Sequence, residues 1–109
     1  MSTNTAWIFL SIAGILEFIW AAGLKQSEGF SKLGPSIFAL AVMGVSFYLL
    51  SLAMRILPIG VSYSVWTGIG AVGSVLVGYF FFSESMNLSK LFFLILIIGG
   101  IFGLKFSEG

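Results

Sequence analysis

The sequence contains no cysteine and no histidine, and charged residues make up only 8% of its 109 positions. Without cysteine there is no disulfide, thiol nucleophile or iron–sulfur centre. Without histidine or a cluster of carboxylates there is no set of ligands for a transition metal, so we expect neither a metal nor another cofactor. The formal net charge of +1 gives no reason to expect a nucleic-acid partner.

Apolar residues, by contrast, are abundant. They account for 59% of the chain, whereas about a quarter of the residues in a soluble domain are charged. This composition is typical of a protein that lies in a lipid bilayer. Four spans of about 20 residues each use most of the length. We therefore expect residues 1–109 to form a single membrane domain, and we do not expect an enzyme.

Short polar breaks divide the chain into four apolar segments, at about residues 5–24, 33–54, 58–82 and 87–106. Pro35 and Pro58 stand in the first turns of the second and third segments, where a missing N–H costs least. The fourth segment has an uncharged core of only residues 91–104, but Lys90 and Lys105 can extend from its ends to opposite interfaces. The predicted fold is an all-α integral membrane bundle of four antiparallel transmembrane helices.

The basic residues are almost evenly divided between the two membrane faces of this bundle. One face carries Lys25, Lys32 and Lys90, and the other carries Arg55 and Lys105. Because basic residues set the orientation of membrane proteins, so small a bias allows insertion either way up. Two oppositely inserted copies would then pair as an antiparallel homodimer, like the inverted repeats of larger transporters. The alternative is that the weak bias has no such meaning.

Two glycine patterns lead to different interpretations. Residues 68–73 match the GxGxxG dinucleotide fingerprint, but they lie inside an apolar span and not at a strand-to-helix turn, so the match is accidental. Close helix approach explains these glycines better. Gly99 and Gly103 form a GxxxG pair, which favours dimerisation through the fourth helix, although such pairs also serve contacts within one chain.

Glu17 is the only acidic residue inside an apolar segment. A carboxylate at membrane depth is costly, and by default it marks a site for an ion, a proton or a substrate. Trp20 follows one helical turn later, so the carboxylate and the indole share a helix face. The competing interpretation is that Glu17 pairs with a basic residue and only stabilises the bundle.

Aromatic residues with the same spacing occur elsewhere in the chain. Tyr63 and Trp66 form such a stripe in the third segment, and Met43, Ser46 and Phe47 form another in the second. A carboxylate beside aromatic faces suits an organic cation, because a desolvated cation–π contact contributes about 2 kcal/mol. For each aromatic residue alone, ordinary packing or an interfacial aromatic belt is the competing explanation.

The whole chain resembles the small multidrug resistance family of four-helix bacterial exporters. The stretches that carry the resemblance are Gly14-Ile15-Leu16-Glu17, Leu24-Lys25-Gln26-Ser27-Glu28-Gly29-Phe30, Ser46-Phe47-Tyr48-Leu49-Leu50, Pro58-Ile59-Gly60 and Tyr63-Ser64-Val65-Trp66-Thr67-Gly68-Ile69-Gly70. Trp20 and the ending Gly103-Leu104-Lys105 are similar to the guanidinium-exporting branch. The sequence departs from the family at Ser62 and Ser64, where relatives commonly place alanine on both sides of the tyrosine.

This resemblance implies a function and a set of site residues. Glu17 would bind protons and a cationic substrate in alternation, within an antiparallel dimer in the bacterial inner membrane. Ser46, Tyr63 and Trp66 match positions that line the binding site, and Trp20 matches the position typical of guanidinium exporters. The implied activity is proton-coupled export of guanidinium and small guanidinyl cations. We further expect the Ser46 hydroxyl to orient Glu17 by a hydrogen bond.

Three alternatives remain open at the level of the sequence. The first is a broad exporter of quaternary ammonium and other drug cations from the same family. The second is one half of a heterodimeric exporter, which the balanced charge disfavours. The third is a membrane interaction subunit that uses Glu17 to recognise a basic residue on a partner span and transports nothing.

Overall fold

The computed structural model of the protein describes residues 1–108, which form four helices and, within that range, no strand. The helices are α1 (Thr3–Gln26), α2 (Leu33–Ala53), α3 (Ile59–Phe81) and α4 (Leu88–Glu108). Each is long and apolar enough to cross a membrane. These observations confirm the predicted all-α architecture with four spans. Gly109, the last residue of the expected domain, lies outside the described residues.

Local side-chain chemistry accounts for the helix ends. The Ser2 hydroxyl accepts a hydrogen bond from the Thr5 N–H (3.1 Å) and so caps α1. The Asn87 side chain accepts one from the Lys90 N–H (2.8 Å) at the start of α4. Between α1 and α2, the buried Ser27 hydroxyl donates to the Leu24 carbonyl (2.6 Å). Side-chain hydrogen bonds therefore define these three helix ends, whereas α2 and α3 begin without a side-chain cap.

The helices are arranged in a thin layer, whose principal extents are 41 × 35 × 16 Å. α1 packs against both α2 and α3, whereas the α4 backbone approaches only α3. The main apolar core lies where the start of α1, the end of α2 and the start of α3 meet, and its members include Ala6, Leu10, Leu50, Leu57 and Val65. This core fixes the relative positions of the three helices that carry the predicted site.

α4 lies at the edge of that core, where its partly buried Ile101 and Leu104 pack against it. Leu94 is the one residue of 88–107 in this helix that is buried. Ile97 and Ile101 lie against Gly68 of α3, whereas no atom lies within 4 Å of a Cβ built at Gly99 or Gly103. The GxxxG pair therefore makes no close contact with any other part of the chain that the structure describes. Its predicted role in dimerisation stays a prediction.

Candidate cation-binding site

Glu17 lies near the middle of α1, and its carboxylate packs over Gly70 of α3. A Cβ atom at position 70 would overlap the carboxylate, so the glycine provides the space that the acid occupies. Oε2 of Glu17 is buried and has no hydrogen-bond partner among the described residues. A buried carboxylate oxygen without a donor is costly, and a proton or a cation would relieve that cost.

No lysine or arginine of the described chain pairs with Glu17. The two ion pairs present in residues 1–107 join Lys25 to Glu84 (3.6 Å) and Lys32 to Glu28 (3.5 Å). The interpretation in which Glu17 only stabilises the bundle through a basic partner within its own chain therefore finds no support in these contacts.

Ser46 joins three helices at one point. Its side chain is completely buried, its hydroxyl donates to the Ala13 carbonyl of α1 (2.8 Å), and it accepts from Nε1 of Trp66 on α3 (3.0 Å). The expected hydrogen bond from Ser46 to Glu17 is therefore wrong, because the single hydroxyl proton goes to the Ala13 carbonyl. In a regular α-helix that carbonyl also accepts the backbone N–H of Glu17. Ser46 thus forms hydrogen bonds to the helical turn that precedes Glu17 and to the Trp66 indole, and not to the Glu17 carboxylate.

Trp66 is the buried member of a row of aromatic rings. Its ring centroid lies 5.5 Å from that of Phe47, at 64°, and 5.5 Å from that of Tyr63, at 52°. Trp66 is only 6% exposed, whereas Tyr63 is 54% and Phe47 47% exposed. The row therefore leads from the packed interior, one turn before Gly70, to an open aromatic edge. Phe47 was missing from the predicted site, although its position next to Ser46 was the signal for it.

Trp20 occupies a different part of the site. It is half-buried on α1, and its indole N–H is buried without a hydrogen-bond partner among the described residues. Within residues 1–107 it makes no ring contact with Trp66, Tyr63 or Phe47. The structure thus brings Ser46, Tyr63 and Trp66 into contact. It places Glu17 beside Gly70, one turn from Trp66. Trp20 lies on the same helix as Glu17 but does not join the aromatic row.

The two serines that depart from the family pattern have different surroundings. The Ser62 side chain is fully buried, and its hydroxyl donates to the carbonyl of Pro58, the residue just before α3 (2.9 Å). Ser64 is exposed and lies with Tyr63 along an open cleft of about 370 Å³. Ser62 is therefore satisfied inside α3, and only Ser64 adds a hydroxyl to an accessible surface near the aromatic row.

The glycines of α3 allow close approach to α1, as their sequence pattern indicated. A Cβ at Gly73 would overlap the Phe18 ring, as one at Gly70 would overlap Glu17. Gly78 belongs to a different contact, because it packs against the Glu84 carboxylate of the following loop. Only the register of the two helices shows which glycine faces the acid.

Comparison with known proteins agrees with this architecture. Residues 5–97 match the family model described as Small Multidrug Resistance protein. A protein named guanidinium exporter from Yersinia pseudotuberculosis serotype I is 54% identical over 103 residues, which cover 94% of this chain and 99% of that protein. Guanidinium exporters from Citrobacter freundii and Salmonella typhimurium are each 53% identical over 102 residues, which cover 94% of this chain and 97% of theirs.

A bundle of four membrane-spanning helices, matched by a family model over most of its length, defines a small integral membrane protein. The chain belongs to the small multidrug resistance family. It is a multi-pass protein of the bacterial inner membrane.

Proposed function

We propose that this protein exports guanidinium and small guanidinyl cations across the inner membrane in exchange for protons. The observation that carries the proposal is the buried, unpaired carboxylate oxygen of Glu17 against Gly70, one turn from the aromatic row of Trp66 and Tyr63. The names of the relatives described above support the choice of guanidinium.

The site chemistry suits a small planar cation. Guanidinium presents a fork of N–H donors that matches the two oxygens of a carboxylate, and its flat face stacks on aromatic rings. In this assignment Glu17 binds the proton or the substrate, and Trp20, Tyr63 and Trp66 supply the aromatic surface. Ser46 acts as a positioning residue, because its hydroxyl holds the Trp66 indole by a hydrogen bond of 3.0 Å.

Exchange follows if protons and the cation compete for the same carboxylate. A proton satisfies the buried oxygen as a neutral carboxyl group, and guanidinium satisfies it as an ion pair. If the site changes sides readily only when one of these ligands occupies it, proton entry drives cation exit. The chain needs no cofactor for such a cycle.

We further propose that the working unit is an antiparallel homodimer. The open glycine face of α4, where Gly99 and Gly103 have no close neighbour, supports a helix contact with a second copy. The nearly even division of basic residues supports insertion in both orientations. A reporter fused to the C-terminus is therefore expected on both sides of the membrane, and its appearance on one side only would contradict this dimer.

Exchange in proteoliposomes tests the proposed activity. Vesicles with an acidic interior in an alkaline buffer should take up labelled guanidinium as protons leave, and should take up tetraethylammonium much more slowly. Vesicles without a pH gradient, and vesicles without protein, are the controls. Equal uptake with and without the gradient would contradict proton coupling, and faster uptake of tetraethylammonium would favour the broad exporter instead.

A further inference from the structure

A second concave surface lies on a different side of α1 from Glu17. It is a groove of about 490 Å³ between α1, α3 and α4, within the range of about 300–1,000 Å³ that ligand pockets occupy. Trp7 and Phe18 line its α1 wall, Ile69 and Leu76 its α3 wall, and Ile98 and Lys105 its α4 wall. The Glu17 carboxylate instead packs against Gly70, so the groove is separate from the proposed transport site.

The groove carries a positive charge at one end. Nζ of Lys105 lies 5.2 Å from the centre of the Trp7 ring, so a cation from α4 is placed over an aromatic residue near the start of α1. Both residues lie at the end of their helices where the membrane meets water, and Trp and Lys are favoured at this depth. No carboxylate of residues 1–107 forms an ion pair with Lys105. The head of the groove is thus cationic, and the rest of its wall is mostly apolar.

The length of the groove matches one leaflet of a bilayer. The rise along α1 from Trp7 to Phe18 is about 16 Å at 1.5 Å per residue. Half of the hydrocarbon core of a bilayer is about 15 Å. An acyl chain that begins at the headgroup level beside Lys105 would therefore follow the groove to about the middle of the membrane.

We propose that this groove binds one anionic phospholipid, with its phosphate at Lys105 and an acyl chain along Ile69 and Leu76 towards Phe18. Charge complementarity selects an anionic headgroup over a zwitterionic one, and the membrane-deep apolar wall selects a lipid over a soluble phosphate. The bound lipid fills the space that α4 leaves open beside α1, and so holds the peripheral helix to the core.

Quenching of Trp7 by lipids with brominated acyl chains tests this site. The full-length protein is reconstituted in phosphatidylcholine vesicles that contain small fractions of brominated phosphatidylglycerol or brominated phosphatidylcholine. The Trp7 signal is the difference between wild type and Trp7→Phe. The matched pair of variants is Lys105→Gln and Lys90→Gln, because Lys90 is exposed at the opposite membrane face and its side chain bonds to the Ser85 carbonyl (2.8 Å).

In wild type, half-maximal quenching should need about fivefold less phosphatidylglycerol than phosphatidylcholine, which corresponds to about 1 kcal/mol for one basic residue at an anionic headgroup. Lys105→Gln should abolish this preference, and Lys90→Gln should keep it. Equal quenching by both lipids in wild type, a preference that survives in Lys105→Gln, or its loss in Lys90→Gln would overturn the proposal.

A second measurement covers the case in which Lys105→Gln does not reconstitute. In wild type, salt at about 1 M shortens the screening length to about 3 Å, so it should remove most of the phosphatidylglycerol preference and leave the phosphatidylcholine curve unchanged. A preference that does not respond to salt would overturn the assignment of the phosphate to Lys105.

Discussion

The two ends of the bundle differ in how they are held together. At the packed end, where α1 and α3 begin and α2 ends, Ala6, Leu10, Leu50 and Leu57 are buried in one continuous core. At the open end, where α1 and α3 finish, clefts of about 200 Å³ and 380 Å³ separate parts of the two helices. Glu17 lies between these ends, with the continuous apolar core on one side of it and the two clefts on the other.

An ion pair bridges the α1 and α3 sides of the open end. Nζ of Lys25 lies 3.6 Å from Oε2 of Glu84, and both side chains are about half exposed. Exposed pairs of this kind contribute at most about 1 kcal/mol, whereas burying one Leu or Val side chain contributes about 1.5–3 kcal/mol. The difference indicates that separation of α1 from α3 starts at the open end.

Glu17→Gln should have the largest effect, and Glu84→Gln is its matched control at the open end. The amide keeps the shape of the side chain but can neither release a proton nor carry the negative charge, so proton-coupled guanidinium exchange should be lost. Glu84→Gln should keep most of it. Exchange in proteoliposomes measures both variants, and retention of pH-dependent exchange by Glu17→Gln would contradict the assignment of this carboxylate.

Trp20→Gly tests the aromatic residue on the open-end side of Glu17. Loss of the indole removes a cation–π contribution of up to about 2 kcal/mol and widens the site. The ratio of guanidinium to bulky quaternary ammonium transport should therefore fall by up to about thirtyfold. Trp20→Phe, which keeps a flat aromatic face, should restore part of the ratio. An unchanged ratio in Trp20→Gly would show that Trp20 does not set selectivity.

Ser46→Ala tests the packed end. The substitution leaves the Trp66 N–H buried without its acceptor, which costs about 1–3 kcal/mol, so we expect a lower Tm in detergent and about tenfold weaker guanidinium binding. The control is Ser36→Ala, because the buried Ser36 hydroxyl donates only to the carbonyl of Lys32, the residue just before α2, and makes no bond to another helix. Similar losses in both variants would mean that any buried serine matters equally and that the Trp66 contact is not special.

Lys25→Gln should have the smallest effect, since it removes only the ion pair at the open end. We expect guanidinium exchange to change by less than about fivefold, with the difference from wild type shrinking as salt screens the pair. Lys32→Gln, which breaks the pair with Glu28 inside one loop, should not change exchange. A decrease in guanidinium exchange of more than about tenfold in Lys25→Gln would show that the ion pair holds the open end together more strongly than an exposed pair should.

The apolar segments were sufficient to predict the fold because each helix is long and apolar enough to cross a membrane. The fourth segment was the least certain by length, and α4 extends through Lys90 and Lys105 because both side chains can reach an interface from within the helix. Glu17 could be selected as a candidate site residue from the sequence alone, because it is the only acidic residue inside an apolar segment.

The contacts of the site could not be predicted in the same way. The acceptor of the Ser46 hydroxyl depends on the rotation of α2 against α1, and spacing along one helix carries no information about that rotation. Gly70 belongs to the glycines of residues 68–73, which predict close helix approach, but only the register of α3 against α1 shows that its space belongs to the Glu17 carboxylate. The sequence therefore identifies candidate residues, and packing decides which of them meet.

The Ser46 hydroxyl has a mechanical consequence for any change of shape in this bundle. Its two hydrogen bonds tie the Ala13 backbone, α2 and the Trp66 ring into one junction. A motion that parted α1 from α3 at this level would have to break one of these bonds in a medium that offers no replacement partner. The junction therefore resists separation of the three helices at the level of Ala13, so α1 parts from α3 more easily farther along the helices, towards the open end.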